Sequence, residues 1–164
     1  LYLKLQGLRM ARPVSGLLTD MVCCPGGDFC SLANARSITV AEDINRRYKS
    51  LDKLESLGDI DLRISGCMNS CGHHHIGNIG ILGVDKDGKA FYQLLLGGNS
   101  GEKGKASLGK IIAKAFAEDE ISNAIENILQ HYLSKRDKNE TFRNTVARLG
   151  NASFAGAANK ARKS

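Results

Sequence analysis

Apolar residues between Ser31 and about Leu57 recur at helical spacing: Leu32, Ala35, Ile38, Ile44, Tyr48 and Leu51 share a stripe, and Gly58 ends the run. The period then changes. Ile60, Leu62 and Ile64 alternate with polar neighbours over residues 59–65, which predicts a strand. "GNIGILGVDKDGKAFYQLLLGG" (77–98) predicts a β-hairpin around "DKDGK", where Gly88 supplies the positive φ of the turn. A polar, glycine-rich loop is expected at 99–110. Ile121, Ala124, Ile125, Ile128, Leu129, Tyr132 and Leu133 then mark one face of a helix from about Glu120 to Lys135. "TFRNTVARLG" predicts a short final helix stopped by Gly150, and residues 151–164 read as a basic, frayed tail beyond a domain spanning 1–150. Strands mixed with helices and a hairpin predict an α+β fold, with a mixed or antiparallel sheet and flanking helices.

Composition narrows the class. A chain of 164 residues is long enough to bury a core as one domain. With four Tyr, five Phe and no Trp, that core must be mostly aliphatic. The longest apolar runs, such as "LLL" at 94–96, are too short for a transmembrane helix. The chain opens on Leu1 and no export signal follows, so it reads as a piece of something longer. The net charge of +6 invites a nucleic-acid reading, but no basic–aromatic stripe supports one. Much of the excess lies late, at Lys135, Arg136, Lys138, Arg143, Arg148 and "NKARKS", as on a solvated face or tail. Five cysteines, two of them adjacent, argue against a secreted disulfide framework and for thiols in a reducing, cytoplasmic setting.

The cysteines carry the chemistry. Cys24 and Cys30 enclose five residues in "CPGGDFC", and Cys67 and Cys71 enclose three in "CMNSC". Four thiolates gathered by the fold suit tetrahedral zinc or an iron–sulfur cluster. Zinc knuckles favour gaps of two to four residues, so the wider first gap favours the cluster. On a helix, the Cys67/Cys71 spacing would place both sulfurs on one side. Helix starts after Cys30 and Cys67 would aim N–H donors at sulfur, and Gly66 and Gly72 would let backbone approach a bulky group. Cys23 falls outside the five-residue register and reads as a buried spacer.

"CPGGDFC" followed by "SLANA", together with "SGCMNSCG", resembles the sirohaem-dependent nitrite and sulfite reductase family from about Leu17 to Tyr132. The resemblance implies the fold of that family's 4Fe–4S domain. It also implies that Cys24, Cys30, Cys67 and Cys71 hold a [4Fe–4S] cluster, that Cys71 bridges the cluster to sirohaem iron, and that Asn69 packs near the cofactors. The implied reaction is reduction of sulfite to sulfide, with nitrite to ammonia as the alternative. The implied electron donor is a ferredoxin or an NADPH-dependent flavoprotein. The anion-binding Arg and Lys belong to the N-terminal part of such enzymes, and no block here matches them, so the chain alone is expected not to turn over. Met68 departs from the Pro common at its position, and the histidine run after Gly72 is not general to the family.

For His73, His74 and His75, packing or hydrogen bonding beneath the cofactor is the expectation. A subsidiary one sets His73 or His74, protonated, with Arg36 or Arg63 against sirohaem carboxylates. "GNIGILG" mimics a dinucleotide fingerprint but sits in a predicted strand, and "GGNSGEKGKASLGK" lacks P-loop spacing. Two other readings stay open at this level: a zinc-bound structural or nucleic-acid-binding module, and an electron-transfer iron–sulfur protein without sirohaem.

Overall fold

The computed structural model describes residues 1–8, 10–11, 13–101 and 104–163. Glu102 and Lys103 of the predicted glycine-rich loop, and Ser164 of the tail, lie outside them. The sheet is built from β1 (Val22–Cys23), β2 (Leu62–Ser65), β3 (Ile79–Lys86), β4 (Lys89–Leu96), β5 (Lys110–Ile111) and β6 (Phe116–Ala117). β1, β2 and β3 run parallel, and β4 is antiparallel to β3, β5 and β6. The fold is therefore α+β with a mixed sheet. Lys86 pairs with Lys89 at the hairpin end. Asp87 and Gly88 between them have φ of 55° and 74°, the double positive φ of a type I′ turn.

The helices are α1 (Tyr2–Gly7), α2 (Gly26–Phe29), α3 (Ile38–Arg47), α4 (Leu51–Leu57), α5 (Glu118–Lys135), α6 (Phe142–Leu149) and α7 (Asn151–Asn159). None among the described residues is long and apolar enough to cross a membrane. The core joins Leu62 and Ile64 of β2, Ile79 and Ile81 of β3 and Tyr92, Leu94 and Leu96 of β4 to Val40 and Ile44 of α3 and Ile121, Ile125, Ile128 and Leu129 of α5. Tyr132 buries its ring in the same core and sets its hydroxyl between the Leu57 and Glu140 carbonyls, at 3.1 and 3.0 Å.

Three elements differ from their predicted form. The stripe over 31–57 is not one helix. Asn34 and Ala35 donate their N–H groups to the Gly66 carbonyl, outside any helix. The Asp28 carboxylate accepts from the N–H groups of Ser37 and Ile38, which starts α3 there. Extended backbone at Ser50 then separates α4 from α3. The strand predicted over 59–65 is regular only in β2, and its partner β1 is too short to show a period of its own.

The tail is the third. Residues 151–159 form α7, and residues beyond it are tied back. Phe154 is fully buried, with its ring edge-on to His131 at 5.1 Å, and Ala158 is buried beside it. Arg162 stacks over Phe116 at 4.2 Å and donates to the Ala115 carbonyl. The Lys163 N–H reaches Glu120 Oε1 at 2.9 Å. Two alanines and one Phe carry this packing, so helical amphipathicity is faint in the sequence although Phe154, Ala157 and Ala158 are buried.

Replacing Phe154 with Ala should cost about 3–5 kcal/mol, or roughly 6–20 °C in thermal midpoint for a chain of this size; a frayed tail would leave the midpoint unchanged. Glu140 gives a pH test. Arg148 hydrogen bonds, backed by the Asp137 N–H and Thr145 hydroxyl, hold its carboxyl down from 4.5 to about 2. A carboxyl depressed on folding stabilises fully above its unfolded value and loses that contribution as pH falls through its folded value. Acid titrations followed by circular dichroism should therefore show stability lost between pH 4.5 and about 2, and Glu140→Gln should flatten that part of the curve.

Candidate metal centre

The first cysteine loop leaves the sheet directly from β1. The Cys24 N–H continues the parallel pairing by donating to the Ile64 carbonyl at 3.1 Å. Pro25 then leads into the single turn of α2, and the Cys30 N–H closes on the Gly26 carbonyl at 2.8 Å. Gly26 has a φ of 57°, and a Cβ there would lie 2.4 Å from Ser37 Oγ, so both backbone shape and contact demand glycine. Asp28 pins this loop to α3. It accepts from the Ser37 and Ile38 N–H groups, the Thr39 hydroxyl at 3.3 Å and Arg36 Nε at 2.9 Å. Burial opposes its charge, but the Arg36 contact and the Ile38 N–H together hold the carboxyl below its usual range.

The second loop leaves β2 at Gly66 and crosses the first there. The Gly66 N–H donates to Cys24 Sγ at 3.1 Å. Its carbonyl accepts from Asn34 and Ala35 at 2.9 and 3.0 Å. A Cβ on Gly66 would meet the Ala35 carbonyl at 2.6 Å and Gly26 Cα at 2.8 Å. Below it, a Cβ on Gly83 would strike the Gly66 carbonyl at 2.5 Å. The two cysteine loops are thus laced together by backbone.

The Cys67–Cys71 segment is not a helix, contrary to the spacing argument. Ser70 and His73 take left-handed backbone, with φ of 58° and 52°, and chained turns carry the loop: the Ser70 N–H bonds the Cys67 carbonyl and the His73 N–H the Ser70 carbonyl. Nor does a helix start after Cys30 or Cys67; the N–H aimed at sulfur is that of Gly66. Cys67 is buried, Cys24 and Cys30 are half-buried, and Cys71 is exposed. Asn69 and His73 also face solvent.

Cys23 differs from its neighbour. Its thiol donates to the Cys24 carbonyl at 3.2 Å, and burial, then the nearby Cys24 and Asp28, push its pKa up to about 12. Such a thiol stays protonated and is a poor ligand.

His74 is fully buried, and burial followed by His75 pushes its pKa down to about 4. Burial thus favours the neutral imidazole at His74. Arg63 is paired with Asp61 at 2.8 Å and lines a polar cleft of about 670 Å³ with Asp20 and Asp59. Arg36 remains beside the first loop, mostly exposed, on Asp28.

Among the described residues, no three His, Cys, Asp or Glu side chains converge tightly enough to hold a single ion. What the fold does supply is four free thiols on two laced loops and a backbone N–H on one sulfur. That soft, all-sulfur donor set fits an iron–sulfur cluster, whose thiolates take N–H···S bonds. Asp28 and the clearance at Gly83 escaped the sequence reading, because each acts through a partner distant along the chain.

Comparison with known proteins identifies the family. The family described as "Nitrite and sulphite reductase 4Fe-4S domain" matches residues 17–163. A ferredoxin–nitrite reductase of Leptolyngbya laminosa is 32% identical over 126 residues, 74% of this chain and 24% of that protein. A sulfite reductase [NADPH] hemoprotein beta-component of Bacillus velezensis is 31% identical over 155 residues, 88% of this chain and 24% of its own length. The structure of the Mycobacterium tuberculosis NirA protein superposes with a TM-score of 0.72 at 25% identity, covering 93% of this chain and 29% of that one. The chain thus spans about a quarter of the length of the curated relatives it matches.

Gly66→Ala should force the two loops apart, because both obstructing groups are backbone. A loss of about 1–3 kcal/mol is expected, as for overpacking, together with faster alkylation of Cys24. Gly156→Ala, inside α7 where a Cβ meets nothing within 4 Å, is the control: it should lose no stability and leave Cys24 alkylation unchanged.

Proposed function

The chain belongs to the nitrite and sulphite reductase 4Fe–4S domain family, and on that premise we propose that it is the cluster- and sirohaem-ligating portion of a sulfite reductase haemoprotein. Cys24, Cys30, Cys67 and Cys71 would hold a [4Fe–4S] cluster, and Cys71 would bridge it to sirohaem iron. The observation that carries this reading is the Gly66 crossing, which lays the second cysteine loop on Cys24 Sγ. The exposed position of Cys71 suits a thiolate that must also reach a second cofactor. Asn69, beside it on the same exposed turn, is available to that cofactor's edge.

When bound, the coupled centre supplies single electrons and a site where sulfite becomes sulfide, its oxygens leaving as water. The chain's own residues hold and shield it. Gly66 donates to one thiolate, Cys67 is buried from water, and Asp28 keeps the first loop fixed on α3. Phe29, Leu32 and Met68 stand exposed on or beside the two loops, at 83%, 72% and 81%. Large apolar side chains left bare around a site suit a surface that another part of the enzyme covers. That cover is the N-terminal part of the same protein, which carries the anion-binding Arg and Lys, so this chain alone does not turn over.

The electron donor is a ferredoxin or an NADPH-dependent flavoprotein; an acidic donor would be drawn by the net charge of +6. Five free cysteines suit a cytoplasmic setting. Nitrite reduction to ammonia is the second reading, favoured by the name of the Leptolyngbya laminosa relative.

The test is metal and acid-labile sulfide analysis, with an absorption spectrum, on anaerobically prepared protein. About four iron and four sulfide per chain are expected for the cluster, with sirohaem bands when the whole enzyme is used. Cys24→Ser should sharply lower iron content, and Cys23→Ser should leave it unchanged. One zinc and no sulfide would overturn the reading.

A further inference from the structure

The histidine run has no part in the proposed ligand set, yet it holds a buried polar side chain with an atom lacking a partner. His74 is fully buried, and its Nε2 has no hydrogen-bond partner among the described residues. Its Nδ1 lies 3.3 Å from Ser70 Oγ, and His75 Nδ1 lies 3.1 Å from the same oxygen. The two rings stack at 3.9 Å with a 35° tilt. We propose that Ser70, His74 and His75 form a tautomer-locked bracket that shapes the Cys67–Cys71 loop, with Ser70 and His74 as positioning residues for its thiolates.

The direction of each hydrogen bond follows from satisfaction. Serine has one hydroxyl proton, so it donates to one ring and accepts from the other. Were the His74 proton on Nε2, a buried N–H would face no acceptor, which folded proteins rarely tolerate. His74 therefore carries its proton on Nδ1 and donates to Ser70, leaving Nε2 a bare lone pair. Ser70 in turn donates to His75 Nδ1, and His75, which is half-buried, keeps its proton on Nε2. The order runs one way: His74 to Ser70 to His75.

This order fixes the loop because its far end is immobile. A Cβ at Gly80 of β3 would lie 2.2 Å from the His74 carbonyl, so His74 sits hard on the sheet. The His75 carbonyl accepts from the Gly109 N–H at 2.7 Å. Ser70, next to Cys71, holds left-handed backbone that a residue with a Cβ adopts only when its surroundings compel it. The two imidazoles supply that compulsion through the hydroxyl.

The inference rests on the reading of Cys67 and Cys71 as cluster ligands, but its first tests need no cluster. Long-range proton–nitrogen correlation spectra of the metal-free chain should show His74 as the Nδ1–H tautomer and His75 as the Nε2–H tautomer. Two Nε2–H rings would overturn the bracket.

Ser70→Gly accepts the left-handed backbone without strain and removes the hydroxymethyl group with both of its contacts to the imidazoles. It should change the Cys71 alkylation rate several-fold in a chain that remains folded. His74→Asn, which retains a donor near the Nδ1 position, should restore the wild-type rate more closely than His74→Phe, which fills the space without one. Equal rates in all four proteins would remove any positioning role. After reconstitution with iron and sulfide, Ser70→Gly should release iron to a chelator about tenfold faster than the parent. If the parent takes up no cluster, the functional reading fails while the tautomer and alkylation results still judge the bracket.

Discussion

At Gly66 the backbones of two loops meet with no space for a side chain between them. Its N–H goes to Cys24 Sγ and its carbonyl takes the Asn34 and Ala35 N–H groups, so this one residue ties two remote segments to the end of β2. The consequences spread outward. Because Asn34 and Ala35 are engaged there, the helix expected from Ser31 cannot begin until Ser37, where Asp28 takes over the free N–H groups. Because the Gly66 carbonyl rests over Gly83, the hairpin strand beneath must be bare at that position. A contact of this closeness leaves the cysteine loops one relative placement, which a site built from residues more than thirty positions apart in sequence requires.

Legibility in the sequence tracked whether an element's cause was local. The β3–β4 turn was readable because Asp87 and Gly88 carry the backbone preference themselves, and α5 because its buried face repeats over five turns. β1 was not readable, since two residues have no period and only their pairing with Arg63 and Ile64 makes them a strand. α7 was missed for another reason. Its buried residues are Phe154, Ala157 and Ala158, and small side chains give little hydropathic signal although they pack closely on α5. At the site, spacing within the motif identified the thiols but not their backbone. An i, i+4 pair is as compatible with the chained turns through Ser70 and His73 as with a helix, and a buried imidazole decides between them.

Cys23 and Cys24 show how neighbours are given different chemistry by one strand. Alternation along β1 turns the Cys23 sulfur toward the partly covered side, where it donates to a carbonyl and burial raises its pKa to about 12. Cys24 turns the other way and receives an N–H instead. Burial without a donor to sulfur stabilises the thiol. The five-residue register to Cys30 singles out Cys24 in the sequence, and Cys24 is the cysteine that receives the Gly66 N–H.

The burial gradient across the four thiols has a direction. Cys67 is buried, Cys24 and Cys30 are half-buried, and Cys71 is exposed, as are Met68, Asn69 and His73 of the same loop. If this chain had to complete the site unaided, its most exposed ligand would be expected to sink into the core, as a lone structural metal site is normally closed by its own domain. The opposite arrangement, with Phe29, Leu32 and Met68 exposed on or beside the same two loops, leaves the open thiol on the surface. On the proposed reading Cys71 is reached from outside and cannot be fixed by burial, so its position is set from the inner side by two buried residues: Gly72, whose N–H donates to Ser65 Oγ at 3.1 Å, and His74, acting through Ser70.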